Sequence, residues 1–363
     1  MISQPDAETA PPHLFAPLSL REVTLKNRIA VSPMCQYSAR GGKATDWHLV
    51  HYGALALGGA GLLVAEATAV APEGRISPGD LGLWKDEQVE PLARVVRFVR
   101  EHGAVAGIQL GHAGRKASTA IPWEGGAPVG PDNGGWAPIR GASPIPFDDG
   151  YPTPAPLDTG ELGGIVDAFR KGAQRALEAG FQLVEIHGAH GYLLQSFLSP
   201  LSNQRTDDYG GSFDNRTRLL REVVVGVREV WPDELPLLLR ISCTDWMEGG
   251  WGPQDSVDLA RMVKPLGVDL LDCSAGGGHP AASPPVGSGF QTTFAERIRR
   301  EAGIPTGAVG LITEPVQADH IVRTGQADLV LLGRQLLREP TWPLRAAREL
   351  EQDVDRPVQY LRG

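Results

Sequence analysis

The sequence predicts an α/β fold, a closed (β/α)8 TIM barrel. Three observations carry this: amphipathic helical stretches alternate with short apolar runs, a glycine repeatedly stands between them, and the runs number eight. A glycine that stops a helix and feeds a wholly apolar strand marks a parallel sheet covered by helices. Eight such strands without a break in composition favour one closed barrel over a doubly wound sheet.

In chain order, Ile29 to Ser32 and Gly61 to Ala65 read as the first two strands. Val89, Leu92, Val96 and Val99 share one helix face, which ends near Gly103 and leads into a strand from Ala104 to Gln109. Residues 119–157 then break the pattern with Pro, Gly, Asp, Trp123 and Trp136, and read as a long loop or lid, either solvent-side or substrate-capping. Asp158 and Glu161 have capping-box spacing and open a helix carrying Ile165, Phe169 and Leu177 to Gly180, before a strand from Phe181 to Ile186. Pro236 to Ile241 is the fifth strand. Gly267, Gly303 and Gly325 introduce the last three, Val268 to Cys273, Ile304 to Val309 and Ala327 to Leu332.

Residues 1–12 read as a disordered tail, 13–363 as one barrel domain, and about 355–363 as a C-terminal tail. The tail at 1–12 has neither the basic nor the apolar segment of a signal peptide, and no apolar run reaches membrane-spanning length, so a cytoplasmic protein is expected. The net charge of -9 without a basic block argues against nucleic acid and for a small-molecule substrate. Cys35, Cys243 and Cys273 have no metal-ligand or disulfide spacing, so redox chemistry would require an organic cofactor.

Barrel active sites lie at the C-terminal ends of the strands. The residues there are Pro33 to Tyr37, Glu66 and Ala67, Gln109 with His112, His187 to Tyr192, Arg240, Ser274, Gly307 to Gly310, and Gly333 with Arg334. Glycine turns after strands seven and eight, beside Arg334, suit a phosphate. Gln109 and Arg240 suit the edge of a flat heterocycle such as a flavin, although either also serves as a structural barrel-mouth residue. For His187 and His190 three readings stand open: metal ligands, core histidines, or hydrogen-bond donors to a carbonyl oxygen. Tyr192 reads as a proton donor or a packed ring, and Cys35 as a cofactor neighbour or an apolar filler.

The chain also resembles the Old Yellow Enzyme family of ene-reductases, in its bacterial thermophilic-like branch. The resemblance rests on LKNRIAVSPMCQYS from Leu25, GIQLGHAGRKA from Gly107, EIHGAHGYLLQSFLSPLSNQRTDDYGG from Glu185, TGAVGLIT from Thr306 and LLGRQLLREP from Leu331. It implies FMN as cofactor and NADPH or NADH as reductant. Ser32, Pro33, Met34, Cys35, Ala67, Gln109 and Arg240 match positions against the flavin ring, where the Cys35 thiol would tune redox potential. Gly310, Gly333 and Arg334 match the phosphate turn. His187 and His190 match the pair that binds a substrate carbonyl or nitro oxygen, Tyr192 the proton donor to the α-carbon, and Tyr37 a wall of the substrate pocket.

Tyr360 and Arg362 resemble a tail whose arginine enters a neighbouring subunit's active site, which implies a homodimer or homotetramer. Two departures bear on substrate scope: the chain stops at Gly363 where relatives often continue with an aromatic residue, and Ala120 to Asp149 is longer than in compact relatives. The alternative reading is a noncatalytic flavin-binding protein.

Overall fold

The computed structural model describes residues 12–362, so the expected tail over 1–12, Pro12 apart, and the terminus at Gly363 lie outside the described residues. Eight parallel strands close a barrel: β1 Ile29–Val31, β2 Leu62–Ala69, β3 Val105–Gly111, β4 Leu183–Gly188, β5 Leu237–Ser242, β6 Leu270–Ser274, β7 Thr306–Ala308 and β8 Leu329–Leu332. Each pairs with the next in the chain, and β8 pairs with β1 through Val330 and Ile29. The eight predicted strands are all present, in order. Their ends shift by no more than two residues, except that β2 runs on to Ala69 through a bulge between Ala65 and Ala67.

The outer helices are α1 Asp46–Leu57, α2 Val89–Glu101, α3 Thr159–Glu178, α4 Phe213–Arg228, α5 Pro253–Val263, α6 Thr292–Ala302, α7 Pro315–Arg323 and α8 Trp342–Glu349. Gly103, Gly180, Gly267, Gly303 and Gly325 all have positive φ, which L-residues adopt only with strain, and this is why glycine stands at each helix stop. The box at α3 is formed: Asp158 Oδ1 accepts from the Glu161 N–H at 2.8 Å, and Glu161 Oε2 accepts from the Asp158 N–H at 2.8 Å. No described helix is long and apolar enough to cross a membrane.

Strand periodicity builds two cores. Outward residues such as Ile108, Val184, Ile186, Leu239, Ile241 and Val330 pack against the helices. Inward ones, Ala30, Leu62, Val64, Val105, Leu183, Leu238, Leu270, Leu329 and Leu331, fill the lower barrel and meet Leu20, Val23 and Leu25. Those last three come from an antiparallel hairpin, Leu18–Leu20 with Val23–Leu25, that plugs the N-terminal end and was not among the expected elements. An apolar plug below leaves the opposite end for chemistry. The 119–157 segment is a loop with short 3-10 turns at Pro122–Glu124 and Pro131–Asn133, pinned by a pairing of Arg140–Gly141 with Ala155–Pro156.

Candidate active site

Above the apolar floor, the same inward faces become polar. Two residues on from Leu183, Leu238 and Leu270 come Glu185, Arg240 and Asp272, and two further come His187, Ser242 and Ser274; alternation alone puts them inside the barrel. From Val105 the same step reaches Gln109. Gln109, His187 and Arg240 thus lie within strands, near their ends, rather than in the loops beyond. Gln109 Nε2 donates to Glu185 Oε1 at 2.7 Å. Arg240 Nε approaches Asp272 Oδ2 to 3.1 Å, close enough for an ion pair but misaligned for a hydrogen bond.

One wall is the segment after β1. Ser32 N–H donates to the Leu332 carbonyl, and Gln36 N–H donates to Glu66 Oε2 at 2.8 Å. Glu66 is fully buried and is itself held by the Tyr52 hydroxyl at 3.0 Å, with His48 Nε2 at 3.4 Å. Between these anchors lie Pro33, Met34 and Cys35, half-buried. Burial, with Asp80 and Glu66 nearby, pushes the Cys35 thiol well up, so it is protonated. Tyr37 follows with φ +51° and meets Trp123 of the long loop edge to face at 5.8 Å.

The opposite wall is the turn after β4. His187 and His190 stand edge to face at 5.2 Å, and His187 and Tyr192 likewise at 5.0 Å. His190 has φ +61°, and its N–H donates to Ser242 Oγ at 2.9 Å. Gly191 has φ +75°, and a Cβ there would lie 2.5 Å from the Gly277 carbonyl oxygen, so the turn admits only glycine. His190 Nε2 lies 2.8 Å from Ser274 Oγ, while His187 Nδ1 accepts from the Ala189 N–H and leaves Nε2 as the donor.

Burial first, then the Arg240 cation, holds both imidazoles well below their usual range, so both are neutral N–H donors at pH 7. Among the described residues no third His, Cys, Asp or Glu joins them as a metal-ligating group. Tyr192 is half-buried, and desolvation, with Cys35, Tyr37 and Asp80 nearby, keeps its phenol protonated. Lys116, which the sequence reading passed over, donates to the His190 and Gly277 carbonyls and lies 5.1 Å from the Tyr192 ring centroid.

At the ends of β7 and β8 a cavity of about 220 Å³ is lined by Gly310, Gly333, Arg334, Ser274, Arg240 and Gln291. Arg334 is exposed and makes no ion pair among the described residues, and Gln291 Oε1 and Arg240 Nε are buried without hydrogen-bond partners. Buried polar atoms without partners cost free energy, so this cavity is built to receive a polar ligand, and its free guanidinium suits a phosphate. The open carbonyl of Gln109 and the cation of Arg240 suit the donor and acceptor edge of a flavin. The residues present therefore fit FMN. Ala67 follows the β2 bulge and stands beside Gln109 in register. Tyr360 and Arg362 are exposed, Tyr360 in a groove with Arg345, Arg348 and Arg356, apart from this cluster.

Glu185 and Asp272 were missed, although the parity that points His187 and Ser274 inward also points them inward. Lys116 and Asp80 carry no comparable signal, because loop folding brings them to the site.

Comparison with known proteins gives the same picture. Residues 13–353 match the model of the NADH:flavin oxidoreductase / NADH oxidase family. An NADPH dehydrogenase of Geobacillus thermodenitrificans (strain NG80-2) is 50% identical over 352 residues, 96% of this chain and 98% of the relative. Morphinone reductase in complex with tetrahydroNAD superposes with a TM-score of 0.76 at 29% identity, over 95% of this chain and 93% of the other. An old yellow enzyme homologue from Zymomonas mobilis gives 0.79 at 26% identity, over 96% of each chain.

Proposed function

The chain belongs to the NADH:flavin oxidoreductase / NADH oxidase family and is an FMN-linked NAD(P)H oxidoreductase; from that premise we propose that it is an ene-reductase, reducing the double bond of α,β-unsaturated carbonyl or nitro compounds. The observation that carries this reading is the set of two neutral imidazoles and one neutral phenol, His190 and Tyr192 each packed against His187, at the level of Arg240. In this reading Ser32, Pro33, Met34, Cys35, Ala67, Gln109 and Arg240 hold the flavin ring, and Gly310, Gly333 and Arg334 its phosphate. FMN, when bound, supplies the carrier that accepts hydride from the nicotinamide and passes it on.

The protein's own residues do the rest. His187 and His190 bind the acceptor's carbonyl or nitro oxygen and stabilise the negative charge that develops there as the β-carbon is reduced. Donors fixed in a water-poor site need no reorganisation, and removing one such donor typically costs about 10²- to 10³-fold in rate. Being neutral, the imidazoles polarise the oxygen without surrendering a proton. Tyr192 holds its proton at the phenol oxygen for the α-carbon, a contribution of about 10²- to 10⁴-fold for a placed general acid. Tyr37, with Trp123 against it, lines the substrate pocket.

We also read 13–363 as one FMN-binding barrel of a cytoplasmic homodimer or homotetramer, in which the exposed tail lets the partner subunit's Arg362 reach the mouth. Deleting 355–363 should then lower both oligomer mass in sedimentation and alkene turnover; loss of neither would refute the tail's role.

The deciding experiment is an anaerobic visible spectrum of the purified protein. Flavin absorbance should bleach with NADPH and return on adding 2-cyclohexenone. Bleaching without return would remove the ene-reductase assignment and leave the oxidoreductase.

A further inference from the structure

Beside the residues assigned to the flavin, in register with them, the barrel holds two carboxyl groups that the reaction above does not use. Glu185 of β4 and Asp272 of β6 are both fully buried, and the nearest cation is Arg240 of β5, itself 6% exposed. The other groups facing Glu185 are Gln109 of β3 and, one step along its own strand, His187, which is neutral. Two carboxylates against one guanidinium leave a net negative charge where solvent does not reach, and such a charge is far more costly than a retained proton. The hydrogen bonds agree with this count: among the described residues Glu185 Oε2 and both oxygens of Asp272 lack partners. Asp272 has Arg240 Nε at 3.1 Å, whereas among the described residues Glu185 makes no ion pair and bonds only the Gln109 amide.

We propose that Glu185 and Asp272 hold one proton between them, carried mainly by Glu185, and that Glu185 is a positioning residue that fixes which end of the Gln109 amide faces the cofactor. An ionised Glu185 accepts only from the Gln109 NH2 and turns the amide oxygen toward the site. A protonated Glu185 can also donate to that oxygen and present the NH2 instead. The proton thus decides whether the flavin edge meets a donor or an acceptor. Burial, reinforced by Asp272, raises the Glu185 carboxyl to about 8, and burial raises Asp272 as well, so one proton remains at neutral pH. The positioning half rests on the reading of Gln109 as a flavin contact; the shared proton does not.

The test is infrared spectroscopy of the FMN-loaded protein carrying ¹³C-carboxyl-labelled glutamate, read at the stretch of protonated carboxylic acids. A glutamate band is expected in the unsubstituted protein, absent in Glu185→Gln and absent also in Asp272→Asn, where Arg240 has only Glu185 to neutralise. No glutamate band in the unsubstituted protein, which requires no variant to fold, would overturn the shared proton, as would a band that survives Asp272→Asn. Positioning is read separately as FMN affinity. Gln109→Ala and Glu185→Leu should each weaken FMN binding, by about tenfold if one hydrogen bond is lost, and their double variant should bind no more weakly than Gln109→Ala alone, whereas Glu185→Gln, which keeps a donor and an acceptor as the protonated acid does, should bind FMN as the unsubstituted protein does. Additive losses would mean that Glu185 acts otherwise than through Gln109. Unchanged affinity in Gln109→Ala would instead refute the flavin contact, leaving the band to decide the proton.

Discussion

Tyr192 has its ring against His187 and a lysine ammonium 5.1 Å from its centroid, yet desolvation and the neighbouring Cys35, Tyr37 and Asp80 all oppose its ionisation. A phenol so placed keeps its proton until a carbon acceptor of rising basicity is beside it, which suits a general acid used once per turnover. Because protonation belongs only to the reduction of the alkene, Tyr192→Phe should slow that half-reaction by about 10²-fold or more and leave reduction of the flavin by NADPH within about twofold. Stopped-flow absorbance separates the two halves. Equal slowing of both would show that the ring's packing matters and its hydroxyl does not.

At the level of elements, the barrel works because a strand has a period of two while its environment changes along its length. Leu183, Glu185 and His187 are one inward column that passes from floor to buried carboxyl to binding site in five residues. That column was legible in the sequence only at its top. The eight strands and five glycine stops could be read because each is a local signal, whereas the bulge at Ala65 and Ala67, which turns Glu66 toward Tyr52 and Ala67 toward Gln109, depends on neighbours distant in sequence. The N-terminal hairpin was missed because its strands are three residues each, although Leu18, Leu20, Val23 and Leu25 alternate. Local signals are also separately testable. Asp158→Ala removes one reciprocal hydrogen bond at the start of α3 and should cost about 1 kcal/mol in urea unfolding, with no change in FMN affinity. A loss of FMN binding would mean that α3 does more than cover the barrel.

Over the whole molecule, the buried polar layer makes stability a function of pH whose sign can be worked out group by group. His51 and His112 are lowered to about 4, and His187 and His190 well below 6.5, each chiefly by burial. The unfolded chain binds their protons first, so between about 4 and 6.5 they make stability rise with pH. Asp80, raised to about 7, and Glu185, raised to about 8, act oppositely: the folded state keeps protons that the unfolded chain releases near 4, so their contribution is full at low pH and is lost as pH rises through 7 and 8. Below about 6.5 the two sets oppose each other; above it the histidines have finished titrating and only the carboxyls act. Lys116, lowered to about 8, reverses the slope only beyond that point, since above it the unfolded chain again binds more protons. Thermal unfolding should therefore show the midpoint falling as pH rises from about 6.5 to about 8. Glu185→Gln should flatten that fall, because an amide has no proton to lose. A midpoint that climbs steadily across this interval would mean that Asp80 and Glu185 are ionised in the folded barrel, and that the charge of this buried layer is balanced by something other than a retained proton.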